Sequence, residues 1–378
     1  MKVKLDKYIN EVNIRNKNNI YNDVYSVTNS EGFVESKEYF SKEVFSKDLS
    51  NYKIVMRNMM AYNPSRINVG SVAIQNKKET VIVSPLYIIF SVNQEYLLVE
   101  YLNYFLHSDI GLNQIKFLTS GSVRDNLNFS SLKNLLMPIE DIHIQKKRIE
   151  ILRKLDSLIS LKKFYIDKLN KLISSLFIEM FGDPWINNKN YTIDKLKNYC
   201  ILNPSKEKNI KKDELCSFIE MASITENGDI NTNNIKKFLE VNKGFTYFLE
   251  NDVLFAKITP CMENGKGAIA QNLCNGIGAG STEFHVLRPL TNKSNPYWLY
   301  ILTTLKHFRV LAEKNMTGSA GQRRVPISFF EKFQLPIPPI DVQENFAKKV
   351  SQIDKSKFTN SYITLIFIQN SMINTFFS

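Results

Sequence analysis

The stretch QKKRIEILRKLDSLISLKKFYIDKLNKLISSLFIEMF, Gln145–Phe181, contains neither glycine nor proline. Its apolar residues recur at alternating spacings of three and four, which places them on one face of a helix. Only Lys162 interrupts this row, whose members are Leu152, Leu155, Ile159, Ile166, Leu169, Ile173, Leu176 and Met180. At a rise of ~1.5 Å per residue, the helix is roughly 55 Å long. A lone helix would leave this row in water, so the pattern predicts a coiled-coil partner or, alternatively, burial in a larger bundle.

The composition is that of a folded protein. The chain has 378 residues, 43% hydrophobic and 23% charged, a length that fits two domains and a linker. It opens on alternating charges without an apolar leader, and no apolar run reaches membrane-spanning length, so we expect no membrane partner. Four cysteines without paired short spacing and only four histidines give a zinc site little support. We therefore expect reduced thiols in a cytoplasmic protein, without a metal.

The net charge is +12 at pH 7. An excess of this size favours a polyanionic partner, most often nucleic acid. The alternative is an AT-rich genome, which enriches lysine and asparagine in any protein. Charge alone therefore does not separate a nucleic-acid-binding protein from an ordinary basic one.

The sequence on one side of the long helix resembles the sequence on the other. Before the helix, the pattern predicts strands at Asn51–Arg57, Gly70–Ile74 and Thr80–Phe90, a helix at Glu95–Leu106 and a polar turn from Thr119. After it, the pattern predicts strands at Asn251–Lys257, Gly265–Ala270 and Ser281–Leu287, a helix at Tyr297–Leu311 and a basic turn from Thr317. The order of elements is the same on both sides.

The register of this repeat can be counted. An offset of 198 relates Thr119 to Thr317, Pro138 to Pro336, and Gln145 to Gln343. Upstream the offset is 195, between Ala73-Ile74 and Ala268-Ile269. A register kept through turn, proline and helix predicts an internal duplication.

The duplication predicts a mixed α/β fold in the order domain, helix, domain, helix. We assign 1–143 to the first domain, 144–183 to the central helix, 184–340 to the second domain and 341–378 to the C-terminal helix. If the copies are built alike, the second helix runs antiparallel to the first, and each covers the apolar row of the other. The domains are then related by a pseudo-twofold axis, the symmetry that dimeric readers of duplex DNA exploit.

The ordered set of short motifs resembles the specificity subunits of type I restriction–modification systems, over nearly the whole chain. The entries to the two helices carry it at Met137–Gln145 and Leu335–Gln343, and the exit from the first at Phe181–Pro184. Val253–Lys257, Glu263–Lys266 and Ser281–Leu287 are similar to one type of target-recognition domain in that family. Each motif is short, and their order along the chain makes the resemblance specific.

This resemblance implies two target-recognition domains that each read half of a split double-stranded DNA sequence, and spacer helices that fix the gap between the halves. It implies docking of two modification subunits, which bind S-adenosylmethionine and methylate adenine, and of restriction subunits that hydrolyse ATP. By the same resemblance, the chain itself is not an enzyme and holds no cofactor.

Two motifs suggest chemistry but are incomplete. Asn295-Pro296-Tyr297 is one proline short of an amino-methyltransferase motif and precedes a predicted helix. Gly276–Gly280 is followed by a predicted strand, whereas a phosphate-binding loop needs a helix N-terminus, so we predict a flexible hairpin there. The functions left open are a diverged single-chain DNA methyltransferase or nuclease, and a coiled-coil protein-binding scaffold.

Candidate DNA-binding residues lie in polar loops at matching places of the two copies. Base readout requires Arg, Lys, Asn or Gln side chains, beside small residues that allow close approach. In the first domain the candidates are Arg57, Tyr62, Asn63 and Arg66 in one loop, and Ser122, Arg124 and Asn126 in another. In the second domain they are Lys257, Asn264 and Lys266 in one loop, and Ser319, Gln322, Arg323 and Arg324 in another. The alternative for each loop is an ordinary solvated turn, and no catalytic or metal-binding residue is assigned.

Overall fold

The computed structural model describes residues 2–39, 46–119, 126–207, 210–319, 321–359 and 363–378. The chain divides into two compact units. Unit 1 comprises Met1–Lys162 and Tyr362–Ser378, and unit 2 comprises Lys163–Ser361. The boundary falls inside the long helix, so each unit contains part of that helix, whereas the sequence interpretation set the helices apart as spacers.

Unit 1 contains two four-stranded sheets and one strand pair. Its strands are β1 (Lys2–Lys4), β2 (Ile9–Val12), β3 (Val24–Thr28), β4 (Gly32–Glu35), β5 (Lys53–Met56), β6 (Met60–Tyr62), β7 (Val72–Ile74), β8 (Thr80–Val83), β9 (Ile88–Val92) and β10 (Leu136–Pro138). Its helices are α1 (Ser36–Tyr39), α2 (Val99–His107), α3 (Asp109–Thr119), α4 (Phe129–Leu132) and the first part of α5 (Ile142–Phe181). Many strand residues are β-branched or aromatic, types that pack well on a half-buried pleated surface.

Unit 2 contains the rest of α5 and a second set of the same elements. Its strands are β11 (Ile193–Lys195), β12 (Cys200–Leu202), β13 (Leu215–Ile219), β14 (Ile235–Lys237), β15 (Thr246–Leu249), β16 (Val253–Ala256), β17 (Gly267–Ile269), β18 (Ile277–Gly280), β19 (Phe284–Pro289) and β20 (Gln334–Pro336). Its helices are α6 (Phe238–Val241), α7 (Pro296–Thr304), α8 (Lys306–Lys314), α9 (Ile327–Lys332) and α10 (Ile340–Thr359). The last helix, α11 (Ile363–Phe377), belongs to unit 1.

The two units have the same sheet topology. In unit 1 the strand orders are β2-β9-β6-β7, β4-β3-β8-β5 and β1-β10, and in unit 2 they are β12-β19-β16-β17, β14-β13-β18-β15 and β11-β20. In each unit one pair is parallel, β3 with β8 and β13 with β18, and the other pairs are antiparallel. Strands β7 and β17 differ in number by 195, as the upstream register predicts. The internal duplication and the mixed α/β class are confirmed.

Two predictions made from the sequence for segments of the sheets are wrong. Residues Thr80–Phe90 form two strands in different sheets, because Ser84-Pro85 makes a turn and a proline cannot donate to a ladder. The glycine-rich segment forms strand β18 and not a flexible hairpin. Glycine is needed there because a Cβ on Gly278 would lie 2.0 Å from the Phe248 ring.

The helix predicted at Tyr297–Leu311 is two helices that meet at Leu305. Leu305 is buried and takes an extended backbone, with φ −58° and ψ 133°. The hydroxyl groups of Thr303 and Thr304 donate back to the carbonyls of Tyr300 and Ile301, both at 2.7 Å, and so compete with the helical ladder. Unit 1 breaks at the same place, between α2 and α3, with Ser108.

Helix α5 buries one face, as its sequence predicts. Residues seven apart are nearly inaccessible: Leu152, Ile159, Ile166 and Ile173 are 0%, 7%, 9% and 2% exposed. Leu155, Leu169, Leu176 and Met180 are half-buried. Phe177 and Phe181, which lie outside the predicted row, are buried too. The helix ends at Gly182, whose φ of +76° is left-handed and favours glycine.

In unit 1, α11 runs antiparallel to the first part of α5. Nη1 of Arg148 donates to the Phe376 carbonyl at 2.8 Å, and Nε2 of Gln369 donates to Oδ1 of Asp156 at 2.7 Å. The residue numbers rise in one helix as they fall in the other. The buried ring of Phe377, at the end of α11, packs against the Tyr101 and Phe105 rings of α2.

In unit 2, the start of α10 packs on the end of α5. The Phe346 ring lies 5.0 Å from the Phe181 ring and 5.7 Å from the Phe177 ring, between centroids, and all three are buried. The predicted antiparallel partner of the long helix is thus α11 in unit 1, while in unit 2 the helix that packs on α5 is α10.

A buried glutamine joins helix and domain in the same way in both units. Oε1 of Gln145 accepts from the Leu98 amide at 2.9 Å, and its Nε2 donates to two carbonyls. Oε1 of Gln343 accepts from the Asn295 amide at 2.9 Å, and its Nε2 also donates to two carbonyls. Both glutamines are 0% exposed, so the 198-residue register reflects a shared structural joint.

Candidate nucleic-acid interface

The two candidate loops of unit 2 are joined by backbone hydrogen bonds. The Val325 amide donates to the Lys257 carbonyl at 2.9 Å, and the Thr259 amide donates to the Arg323 carbonyl at 3.0 Å. The Lys257 amide in turn donates to the Glu283 carbonyl at 2.9 Å. The loops after β16, before β19 and before α9 therefore form one continuous surface, which we call the unit 2 tip.

Arg324 occupies the centre of the unit 2 tip. Its Nε and Nη2 donate to the Glu283 carboxylate at 2.9 and 2.8 Å, and its Nη1 donates to the Gln322 carbonyl at 3.1 Å. The hydrogen bonds from Arg324 hold the pKa of Glu283 below its usual range and raise that of Arg324. The side chain of Arg324 is 42% exposed, so this ion pair is fixed but reaches solvent.

Arg323 is held more loosely than Arg324. Its Nη2 lies 3.6 Å from Glu263 and 3.7 Å from Glu313, beyond hydrogen-bond distance, and its side chain is 40% exposed. Ser319 and Gln322 of the same turn are exposed. Gly318, directly before Ser319, takes a φ of +116°, a backbone conformation that favours glycine.

Asn264 and Lys266 lie on the neighbouring turn of the unit 2 tip. Asn264 is exposed, while Nζ of Lys266 donates to the Met221 carbonyl at 3.2 Å. Beneath them, Arg309 donates to the carbonyls of Met262 and Gly265 at 3.0 and 3.2 Å and is 7% exposed. Burial lowers the pKa of Arg309 to about 10, which leaves it charged at neutral pH. This buried support could not be predicted from the sequence, because Arg309 lies on a helix more than forty residues away along the chain.

A neutral histidine lies under the centre of the unit 2 tip. Nε2 of His285 is 2.8 Å from the Val325 carbonyl, which accepts, and its Nδ1 accepts from the Asn203 amide at 3.2 Å. Burial lowers the pKa of His285 to about 4, so the ring is neutral at pH 7. Burial also lowers the pKa of Lys257, while the nearby Glu283 carboxylate acts on this pKa in the opposite direction.

In unit 1, a backbone hydrogen bond equivalent to the one between Val325 and Lys257 joins the candidate loops. The Leu127 amide donates to the Pro64 carbonyl at 3.0 Å, which sets Asn126 beside the turn of Asn63 and Arg66. Asn126 and Arg66 are exposed, and no ion-pair partner of Arg66 lies within the described residues. We call this surface the unit 1 tip. Ser122 and Arg124, also predicted to contact DNA, lie outside the described residues.

Two residues of the first predicted loop are placed differently. Tyr62 is 0% exposed, and its hydroxyl donates to the Leu127 carbonyl at 3.1 Å. It therefore supports the unit 1 tip from inside and is not a candidate DNA contact. Arg57 precedes strand β6 while Asn63 follows it, and Arg57 pairs with Glu79 at 2.7 Å. The prediction of one loop that contains both residues is wrong, because a strand of the sheet separates them.

The unit 2 tip is less basic than its sequence suggests. Its loops, together with Glu313 at the end of α8, carry four cations against three carboxylates, namely Lys257, Lys266, Arg323 and Arg324 against Glu263, Glu283 and Glu313. A surface with this balance attracts phosphate weakly compared with an unpaired basic patch. It is better suited to directional hydrogen bonding.

The residues that suggested enzyme chemistry have structural roles. Oδ1 of Asn295 accepts from the Tyr297 amide at 2.9 Å, which caps α7 with Pro296 at its first turn. Within the described ranges, no group of three or more His, Cys, Asp or Glu side chains is arranged to hold a metal ion. Over the same ranges, every helix is too short or too polar to cross a bilayer.

The family comparison matches both copies. The family described as "Type I restriction modification DNA specificity domain" matches residues 3–171 and 186–365. The two matched stretches correspond to the two copies of the repeat and together cover most of the chain.

Individual relatives agree with this family. A segment of 159 residues, 42% of this chain, is 39% identical to the type I restriction enzyme EcoEI specificity subunit of Escherichia coli. A segment of 138 residues, 36% of this chain, is 44% identical to the EcoAI specificity subunit of the same organism. These segments span only 27% and 23% of the two relatives.

A solved structure shares the fold. The crystal structure of the type I restriction-modification system S subunit from M. genitalium aligns with a TM-score of 0.57 at 12% identity. The alignment covers 100% of this chain and 96% of that one. At this identity, the likeness concerns the fold alone.

Proposed function

Since the chain belongs to the type I restriction modification DNA specificity domain family, we propose that it is the sequence-specificity subunit of a type I restriction–modification complex. It recognises a split double-stranded DNA target, with one half-site read at the tip of each unit. The observation that carries this proposal is the repeated joint between two loops, Val325 to Lys257 in one unit and Leu127 to Pro64 in the other. Each joint presents exposed polar side chains at the same place of the same fold.

The difference between the tips supports a target with unlike halves. Asparagine and glutamine match the donor–acceptor edge of adenine, while arginine matches the acceptor edge of guanine. Unit 1 presents Asn126 at the place where unit 2 presents Arg324, 198 residues later. The proposed half-sites therefore differ in sequence.

The long helix offers surface to other subunits. Exposed apolar side chains follow it outside its buried row, and the larger ones are Ile151, Leu158, Leu161, Phe164, Tyr165 and Leu172. Apolar side chains left in water commonly mark a protein–protein contact. We propose that the modification subunits, two per chain, and the restriction subunits dock on the helices, and that methylation of adenine and cleavage of DNA are carried out by those subunits. The chain works without its own cofactor, in the cytoplasm where the host DNA lies.

The decisive experiment is a map of methylated adenines in the host genome by long-read sequencing, with the gene intact and deleted. The expected result is methylation at a split motif of two unlike halves, lost upon deletion and restored by the gene. Methylation unaffected by the deletion would contradict the proposal.

Two further measurements separate the alternatives. Calorimetric binding of S-adenosylmethionine by the isolated chain would favour a single-chain methyltransferase. A DNA affinity that stays constant as salt rises would favour a protein-binding scaffold, because phosphate contacts release counterions and impose a steep salt dependence.

A further inference from the structure

The guanidinium of Arg324 is oriented by fixed partners on two sides. Its Nε and Nη2 face the Glu283 carboxylate, at 2.9 and 2.8 Å, and one hydrogen of Nη1 is directed to the Gln322 carbonyl at 3.1 Å. A guanidinium carries five N–H donors in one rigid plane. These contacts use the inner edge and one side of that plane.

The outer edge of the same guanidinium remains available. Nη1 and Nη2 each carry a second hydrogen that these bonds do not use, and the side chain is 42% exposed. No acceptor from the described residues is bonded to that edge. Two parallel donors match the N7 and O6 acceptors of guanine in the major groove, and they equally match two oxygens of a phosphate.

The surroundings of Arg324 favour guanine over phosphate. The Glu283 carboxylate neutralises the cation and is itself 24% exposed, so a phosphate at the outer edge would meet a nearby negative charge. Guanine presents acceptors without net charge and avoids that repulsion. A cation without an ion-pair partner among the described residues, such as the exposed Arg66 of unit 1, is the better phosphate contact.

The backbone holds the arginine in place. The Arg324 amide donates to the Thr317 carbonyl at 2.8 Å, and the Thr317 amide donates to the Arg324 carbonyl at 2.9 Å. The neighbouring Val325 amide is bonded to Lys257, at the end of strand β16. The donor pair is therefore oriented before DNA arrives, which removes an ordering cost from binding.

We propose that Arg324 reads a guanine in the half-site bound by unit 2 through its outer Nη1–Nη2 edge, and that Glu283 is the positioning residue that orients this edge. The inference rests on the proposed function. It adds to it the base that is recognised, the residue that contacts this base, and the carboxylate that makes the contact selective.

The test begins with the split motif of the unaltered complex, from the methylation map. The complex is then prepared with Arg324→Lys, Glu283→Gln and Glu313→Gln, and binding is measured on the motif duplex, on duplexes with each G·C pair replaced in turn, and on unrelated DNA. Arg324→Lys keeps the charge but loses the planar fork, so we expect about a 10- to 100-fold loss of preference at a single G·C pair.

The two carboxylate variants separate orientation from charge. Glu283→Gln is expected to relax the same G·C pair and to bind unrelated DNA more tightly, because a negative charge is removed. Glu313 pairs with Arg323 at 3.7 Å and does not touch Arg324, so Glu313→Gln serves as the matched control. It should raise affinity for unrelated DNA while every base preference is kept.

Several results would overturn the inference. One is an Arg324→Lys variant that binds all sequences equally more weakly, which identifies a phosphate contact, or that keeps every base preference. Another is a Glu283→Gln variant that loses its preference at a different base pair from Arg324→Lys. Should Glu283→Gln fail to assemble, Glu283→Asp keeps the charge at a shorter reach, and full discrimination by it overturns the role of Glu283. A wild-type map without a split motif is a separate outcome, which refutes the proposed function itself.

Discussion

The tips of unit 1 and unit 2 share a backbone and differ in side chains. The Val325–Lys257 bond of unit 2 and the Leu127–Pro64 bond of unit 1 are the same joint. In the paired strands, Phe255 lies opposite His285, as Tyr62 lies opposite Ile88. The duplicated scaffold thus fixes where a side chain is presented, while the residue type at that place decides what it can recognise.

The two tips differ most in the side chains that surround Arg324 and in those at the corresponding positions of unit 1. Unit 2 places Glu283 and His285 around Arg324, whereas the 197-residue offset of these strands gives Leu86 and Ile88 in unit 1. Leu86 is 78% exposed and offers no charge to orient a donor. Arg324 is paired with Glu283, whereas no side-chain partner of Asn126 is found among the described residues, so the same fold presents two different kinds of side chain.

The largest expected effect tests whether the units are also alike in their helical contacts. Phe346→Ala removes a ring that is fully buried between Phe177 and Phe181, and we expect a loss of about 3–5 kcal/mol in the free energy of unfolding. Both tryptophans, Trp185 and Trp298, lie in unit 2, so urea unfolding followed by tryptophan fluorescence reports on this unit.

The matching change in unit 1 is Phe377→Ala, since Phe377 is also fully buried. It should destabilise unit 1, as measured by hydrogen exchange of α2 and α11, by a similar amount. An equal shift of the unfolding transition seen by tryptophan fluorescence would show that the two units unfold together, and would contradict the expectation that Phe377→Ala acts on unit 1 alone. Phe367→Ala is the control, because Phe367 is 75% exposed and its removal should change stability by less than about 0.5 kcal/mol.

The second prediction concerns acid, which should affect unit 2 through His285. The pKa of His285 falls from an unfolded value of 6.5 to about 4 in the folded protein, so the unfolded chain binds more protons between these values. The stabilising contribution is complete above pH 6.5 and is lost as pH falls towards 4, by about 3 kcal/mol. Unfolding by urea across this range, followed by tryptophan fluorescence, measures the slope.

A variant with the residues of unit 1 provides the control for this slope. His285→Ile combined with Asn203→Val copies Ile88 and Val12, which occupy the corresponding strand positions. Its stability should depend on pH less steeply over the same range. If the slope is unchanged, other groups, among them Glu283, account for the acid sensitivity.

A smaller effect tests the joint that both units share. Gln145→Ala and Gln343→Ala each leave a buried amide and two carbonyls without their partner, and each should cost about 1–3 kcal/mol. Equal losses of stability, measured by hydrogen exchange in the affected unit, would show that the two glutamines stabilise their units to the same extent. A loss confined to one glutamine would mean that the duplicated bonds are unequal in strength.

The smallest effect is expected at Asn126. Asn126→Ala should relax one position in the half-site bound by unit 1, by about 1 kcal/mol, and leave the guanine preference of unit 2 unchanged. Competition binding with single-base variants of the motif measures both halves in one series. If Asn126→Ala and Arg324→Lys both reduce base preference within the same half-site, the assignment of one half-site to each unit is refuted.

Three features could be predicted from the amino-acid sequence: the repeat, the long helix with its buried row, and the polar turns at equivalent places. The helix is visible in the spacing of apolar residues within one stretch, and the repeat is visible when two stretches of sequence are compared. The elements missed were breaks within predicted elements, such as Ser84-Pro85 and Leu305, where local hydrogen bonds compete with the regular ladder.

Which polar residues support the tips and which are exposed on them follows from the folded structure and not from the sequence. Tyr62 belongs to the core, Arg309 is a buried anchor, and Glu283 pairs with Arg324 across 41 residues of chain. Partners this far apart leave no periodic trace, because the contact is set by how strands and loops are brought together. The sequence marked the basic turn, but the fold supplied the carboxylate that turns a charge into an oriented donor.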